Sequence, residues 1–218
     1  MLTVRHVVVG PFRMNAWLAG CDRTGEAVLI DPGDELARVL ALCEPGGFRV
    51  TRIVLTHGHV DHVGRAAEAK AATRAPVQIH QGDEPWLSRL AEQAAMFGLD
   101  AGEPPAVDHR HVHGEPFQVG AHTATVLHTP GHSAGGCAIH FAADGVVFVG
   151  DTLFAGSVGR TDLPGGDAAT LVRSIREVLF PLGDDVAVHC GHGPDTTIGE
   201  ERRHNPYVGD GARGIGRA

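Results

Sequence analysis

The chain has 218 residues, 43% of them hydrophobic, and 18 basic against 26 acidic side chains give a formal net charge of -8. That length supports a sizeable core in one domain, and the acidic balance offers no electrostatic footprint for wrapping a nucleic-acid backbone. No stretch approaches the roughly 20 apolar residues of a spanning helix and the first residues lack a signal-peptide pattern, so the expectation is a cytoplasmic, soluble protein with no nucleic-acid and no membrane partner.

In chain order, β-rich runs over 3–9, 14–19 and 27–30 alternate with turn signals, the last closing on Asp31-Pro32-Gly33, and read as adjacent strands. Residues 34–42 carry apolar positions at helical spacing, 50–55 return as a buried strand feeding Thr56 and His57, and the alanine-rich stretch 60–73 reads as a helix. A short strand over 77–80 precedes a helix over 83–97 with Pro85 in its first turn. Residues 98–105 break into a Gly/Pro-rich loop, a candidate mobile lid or variable insertion. Strands follow over 117–119, 122–128, 137–141 and 146–149, then a helix over 168–180, a strand over 186–188 and a last helix from 198 to 203. Residues 209–218 carry too few apolar groups to offset ordering entropy and are expected to fray, which leaves one domain over 1–208. Two groups of strands with helices after each fit an α/β, four-layer αββα sandwich. Periodicity alone does not choose that plan over another.

The motifs do. Fifteen histidines are a high share for a residue that is the commonest metal ligand, and three of them stand in Thr56-His57-Gly58-His59-Val60-Asp61-His62, between a predicted strand and a predicted helix. On an extended turn His57 and His59 can point to one side, while Asp61 and His62 open the next helix and face the neighbouring space. Neutral imidazoles beside a carboxylate are what first-row metals select.

This HxHxDH segment, followed by Thr129-Pro130-Gly131-His132-Ser133, by Val149-Gly150-Asp151-Thr152-Leu153-Phe154 and by Gly191-His192-Gly193-Pro194, resembles the ordered motif set of the metallo-β-lactamase superfamily. The loop Gly159-Arg160-Thr161-Asp162 and the tail running to His204-Asn205-Pro206 look like the short glyoxalase II-like hydrolases. The resemblance implies the four-layer fold and two divalent metal ions, zinc above all, with iron or manganese as alternatives. It implies one ion on His57, His59 and His132, a second on Asp61, His62 and His192, and Asp151 between them. Two such metals lower the pKa of a bridging water, and Asp61 would orient the resulting nucleophile as well as ligate. The substrate class implied is a thioester such as S-lactoylglutathione.

Full-length relatives of that type bind glutathione partly on an added C-terminal helical domain with no counterpart in these residues, so an open cleft is expected. Asn15 and Trp17 are expected on one side of it, 98–105 on another, and Phe154 and Arg160 beside the metals. One rival reading is a sulfur dioxygenase acting on persulfides, with a single iron on His59, His132 and Asp151; another is a non-catalytic metal-binding scaffold. A lactamase would commonly have cysteine at Asp151.

The remaining histidines read as weaker candidates. His109, His111 and His113 alternate, which would place them on one exposed strand face. The cysteines Cys21, Cys43, Cys137 and Cys190 lie far apart without a CxxC pair and are expected to be reduced. Cys190 stands two residues before His192, where the resembling proteins usually have proline, and reads as a buried inert thiol.

Overall fold

The computed structural model describes residues 1–212. Its first half runs β1 (Leu2–Val9), β2 (Met14–Cys21), β3 (Glu26–Ile30), α1 (Leu36–Leu40), β4 (Arg49–Val54), α2 (Val60–Val63), α3 (Ala66–Thr73), β5 (Val77–His80), α4 (Glu84–Leu87), α5 (Leu90–Phe97) and β6 (His109–His111). The six strands form one sheet in chain order, antiparallel from β1 to β3 and parallel from β3 to β6. The second half runs β7 (Pro116–Val119), β8 (His122–His128), β9 (Cys137–Phe141), β10 (Val146–Gly150), the hairpin β11 (Leu153–Phe154) and β12 (Ser157–Val158), α6 (Ala168–Arg173), β13 (Ala187–Cys190), β14 (Thr196–Thr197) and α7 (Ile198–His204). Its main sheet has the order β14-β13-β10-β9-β8-β7.

Alternation along the strands assigns side chains to layers. On β3, Val28 and Ile30 point into the space between the sheets, where they meet Phe117, Val126, Ile139 and Phe148. Leu29 points the other way, into the core that the first sheet shares with Val39, Val63, Ala66 and Leu90 of its covering helices. On β10, Phe148 faces the first sheet while Val147 and Val149 pack on Leu171, Ile175 and Leu179. Strands with both faces covered read as continuous apolar runs, which is why β2 is buried along its whole length. The predicted four layers are therefore present: helices, sheet, sheet, helices.

Several predicted elements are subdivided. The helix expected over 60–73 breaks between α2 and α3 because the Arg65 N–H leaves the helical ladder for the Pro32 carbonyl, and the Gly64 carbonyl accepts instead from Gly102 N–H. The helix expected over 34–42 shortens to α1, since Glu35 before it has φ 44° and a 3-10 stretch containing Pro45 follows it. The helix over 168–180 is α-helical to Arg173 and then widens to a π-type turn over Ser174–Leu179.

The expected lid over 98–105 is tied down: Leu99 and Ala101 pack on the helix-side core, and Arg65 pairs with Asp100 at 2.8 Å. Of the segment 209–218, Gly209 and Asp210 donate backbone hydrogen bonds to the Asn205 and Arg202 carbonyls; residues 213–218 lie outside the described residues. Among the described residues no helix is long and apolar enough to cross a membrane.

Candidate metal centre

At one end of the two sheets the loops after β4, β8, β10 and β13 converge. The β4 loop is fixed from three directions. Asp31 at the end of β3 accepts from Thr56 N–H at 2.7 Å and from the Thr56 hydroxyl at 2.6 Å. Buried Asp83 accepts from Gly58 N–H at 2.9 Å and from Gly135 N–H of the second half at 2.5 Å. Gln93 of α5 accepts from Val60 N–H at 3.0 Å and donates to the Gly58 carbonyl at 3.2 Å. His59 is the extended residue before α2, with φ -74° and ψ 148°, so the chain turns into the helix with Asp61 and His62 in its first turn.

Two close approaches make this possible. A Cβ on Gly33 would sit 1.5 Å from the Asp61 carbonyl oxygen, and one on Gly191 would sit 2.3 Å from Asp151 Oδ1 and 2.8 Å from the His62 ring. Only glycine lets the backbone lie this near the site.

All seven predicted side chains are brought together. His57, His59 and His132 form one set whose nitrogens lie within 4.8 Å of one another, and Asp61, His62 and His192 form another. Asp151 reaches both: its carboxylate oxygens are 3.3 Å from His62 Nε2, 3.5 Å from His192 Nε2 and 3.8 Å from His132 Nε2. In the second set Asp61 Oδ2 lies 3.2 Å from His192 Nε2 and 3.7 Å from His62 Nε2.

The rings are oriented by partners on the far nitrogen. Nδ1 of His62 donates to Asp31 at 2.9 Å, Nδ1 of His132 to the Arg160 carbonyl at 2.9 Å, and Nδ1 of His192 to the Phe12 carbonyl at 3.1 Å. Since the Thr56 hydroxyl donates to Asp31, His57 Nδ1 donates to the Thr56 oxygen at 3.0 Å. Each of these four rings therefore carries a proton on Nδ1 and turns Nε2 toward the others, where it can ligate an ion once any proton on Nε2 has left.

The electrostatics follow from that packing. Burial, with neighbouring imidazoles adding to it, holds His57 well below the ordinary histidine value, and burial beside His132 brings His59 down to about 3. His62 is raised well above its ordinary value because, against its complete burial, Asp151 and Asp61 favour the charged ring; His192 is raised against burial by its bond to Asp61. Asp151 is held low despite burial, chiefly by His62.

Buried His57 Nε2, His59 Nε2 and Asp151 Oδ1 have no hydrogen-bond partner. Unpaired buried polar atoms are costly, and here they converge with lone pairs inward, the donor set that divalent first-row ions fit.

The model described as "Metallo-beta-lactamase superfamily" matches residues 9–192. The chain belongs to the metallo-beta-lactamase superfamily. Among its superfamily relatives, hydroxyacylglutathione hydrolase GloC of Haemophilus influenzae is 37% identical over 219 residues, covering 95% of this chain and 98% of the relative. The crystal structure of the BLEG-1 B3 metallo-beta-lactamase is similar at TM-score 0.87 and 34% identity, over 94% of this chain and 98% of that one. That of TTHA1623 in a di-iron-bound form is similar at TM-score 0.85 and 41% identity, over 93% and 98%. A metal-binding His/Asp cluster in a superfamily of metallo-hydrolases is what the geometry and these likenesses share.

The cleft over the cluster measures about 290 Å³ and differs from the expected one. Arg160 lines it, paired with Asp162 at 2.7 Å. Asn15 and Trp17 do not: both are buried, and they hold the His192 loop from behind. Asn15 Nδ2 donates to the Cys190 and Gly193 carbonyls at 3.0 and 2.9 Å, and Trp17 Nε1 donates to the Cys190 carbonyl at 3.1 Å. Phe154 packs edge-on against the His192 ring at 6.1 Å, as part of the core beneath it. The wall is made instead by Phe12, Trp86, Met96, Phe97, Leu163 and Pro164, with α5 standing where the 98–105 loop was expected.

Three functional residues were missed in the sequence. Asp31, Asp83 and Gln93 brace the β4 loop, Asp31 also lying within ligand distance of His57 and His62; only Asp31 carried a signal, as the acid ending an apolar strand. Cys190 is buried on the helix side of its sheet, where burial pushes the thiol up to about 12, in keeping with an inert core residue.

Proposed function

We propose that the protein hydrolyses thioesters, S-lactoylglutathione among them, with a pair of divalent ions held on His57, His59 and His132 and on Asp61, His62 and His192, with Asp151 shared. One observation carries this reading. Among the described residues the cleft is lined by no serine, threonine, cysteine or lysine, and its carboxylates and imidazoles are engaged with one another in the His/Asp cluster or, for Glu92, with Arg89, which leaves water as the nucleophile of this reading. The similarity to GloC over nearly the whole of both chains supports the substrate class.

When bound, the ions would acidify the attacking water and polarise the acyl oxygen; zinc, iron and manganese all suit imidazole and carboxylate donors. The chain's own contribution is placement. Asp61 is partly exposed to the cleft beside His192, where its free lone pairs can orient a water and accept its proton. Attack at the acyl carbon breaks the C–S bond, and the thiolate leaves without a general acid because thiolate is a good leaving group. Phe12, Trp86 and Phe97 screen the reacting carbon from bulk water, which strengthens each charge interaction behind them.

Turnover of S-lactoylglutathione and of a simple acyl-thioester, measured with metal content before and after chelation, tests the proposal. Hydrolysis that is lost on chelation, restored by metal and lowered about 100- to 1000-fold or more in Asp151→Ala, the scale of removing a group acting in the transition state, is expected. A metal-loaded protein that leaves thioesters intact overturns it. In that case oxygen consumption with persulfide and one bound iron would indicate the dioxygenase, cleavage of a β-lactam would indicate a lactamase, and inertness to all would indicate a scaffold.

A further inference from the structure

Outside the centre just described, one more group of ligating side chains is gathered among the described residues. His109 and His111 lie two apart on β6 and so share a face of the strand, with ring centroids 5.7 Å apart. The turn that follows brings Glu115 back over them. His109 Nε2 lies 2.5 Å from Glu115 Oε1, His111 Nδ1 lies 4.0 Å from Oε2, and one atom from each of the three falls within 4.8 Å of the others. The carboxylate is held in place by Val112 N–H, which donates to Oε2 at 3.1 Å.

His111 sets this cluster apart from a surface ion pair. It was expected on an exposed face, yet it is 1% exposed, because β6 closes the edge of the first sheet and Phe117 of β7 stacks against the ring at 6.4 Å. Neither of its ring nitrogens has a hydrogen-bond partner. A neutral imidazole has one donor and one acceptor to satisfy, and leaving both unpaired in the interior is an arrangement native proteins avoid.

We infer that His109, His111 and Glu115 form an auxiliary site for a single Zn²⁺ ion, separate from the catalytic pair. Two imidazoles and a carboxylate are a zinc donor set, and a fourth position remains for water. Tetrahedral bonds of about 2.0–2.1 Å put ligand atoms about 3.3 Å apart, so the Glu115 carboxylate needs only to swing from His109 toward His111 to seat the ion. The ion would join the two halves of the molecule. His109 and His111 belong to the edge strand of the first sheet, while the Glu115 carbonyl accepts from Val126 N–H of β8 in the second.

Arg52, stacked on Phe117 at 4.9 Å, brings positive charge to the same pocket. Glu115 is the only carboxylate in the cluster to offset a divalent ion, so its loss should remove binding, whereas loss of the exposed His109 should weaken it.

The test uses the metal-loaded protein, gel-filtered and then titrated with Zn²⁺, with the bound ion counted by elemental analysis and heat. Wild type is expected to take up one more Zn²⁺ per chain than Glu115→Gln, His109→Gln to bind it at least tenfold more weakly, and both variants to keep thioester turnover within twofold. Zinc should also raise the thermal midpoint of wild type but not of Glu115→Gln, by mass action on the folded state. Both substituted positions are partly or fully exposed, so folding is not at stake. Equal zinc uptake by wild type and both variants would overturn the inference, as would loss of turnover in parallel with loss of the extra ion.

Discussion

Asp31 accepts from His62 Nδ1 at 2.9 Å and from both the backbone and the hydroxyl of Thr56, so one buried carboxylate aims a candidate ligand and anchors the loop that presents two others. It does so with φ 52°, a left-handed conformation that non-glycine residues adopt sparingly.

Asp31→Ala should therefore lower metal affinity by about 10–100-fold, the usual effect of removing the partner of a ligating imidazole. Competition against a chelator of known affinity reads this directly. Unchanged affinity would mean that the loop holds its shape through Asp83 and Gln93 alone.

Acid should empty the centre in two stages. His62 and His192 have raised pKa values, so in the metal-free protein they hold protons near neutrality that an incoming ion must displace, and lowering the pH strengthens that competition. His57 and His59 are lowered, His59 to about 3, so they hold no competing proton over the same range. On the proposed two-ion reading, the ion on Asp61, His62 and His192 should leave first between about pH 7 and 5, each displaced proton costing up to about tenfold in affinity per pH unit. Metal content after dialysis at stepped pH, with proton uptake recorded, checks the order; simultaneous loss of both ions would contradict it.

Gly33→Ala should be among the most damaging small substitutions in the chain. Its methyl group would fall on the Asp61 carbonyl, so either β3 or the start of α2 must move, at about 1–3 kcal/mol or more for an overpacked site. A lowered thermal midpoint accompanied by loss of metal is expected. A midpoint within a degree of wild type would show that the helix start yields freely.

For the proposed thioester hydrolysis, the wall of the cleft bears on which thiol carrier would be accepted. Its charged members are already engaged, Arg89 with Glu92 at 2.9 Å and Arg160 with Asp162, while Phe12, Met96 and Phe97 are all more than two-fifths exposed around the opening. Contacts of that kind favour apolar parts of a substrate over the charged ends of a tripeptide. The ratio of kcat/KM for one acyl group on glutathione and on a simple thiol should stay below about a hundredfold, and Phe97→Ala should raise KM severalfold with kcat unchanged, the mark of lost uniform binding. A preference for glutathione above about a thousandfold, or roughly 4 kcal/mol, would require a dedicated carboxylate-binding site.

The ligand cluster was legible because it is written locally. His57 to His62 lie on one turn, and the later members each stand beside a glycine. Core strands such as Cys137–Phe141 and His122–His128 were legible from their apolar pattern, bounded by turn residues. What could not be read depends on tertiary partners: the break between α2 and α3 follows from Pro32 and Gly102 capturing backbone groups. The burial of His111 follows from Phe117 arriving from another sheet, and Asn15 and Trp17 sit behind the site because β2 passes under the His192 loop. Alternation predicts which residues share a face, but not which face becomes the interior.

The N-terminal strand and the last candidate ligand are physically joined: Asn15 N–H donates to the Gly191 carbonyl at 2.7 Å and Met14 pairs with His192. Contacts so distant in sequence close long loops, and non-local pairings of this kind are intrinsically slow to form. During synthesis the ribosome would release His57 through His62 long before His192 and the strand that carries it. The complete cluster can thus assemble only once the chain has emerged through His192, and metal loading must wait for both halves of the sandwich to be present.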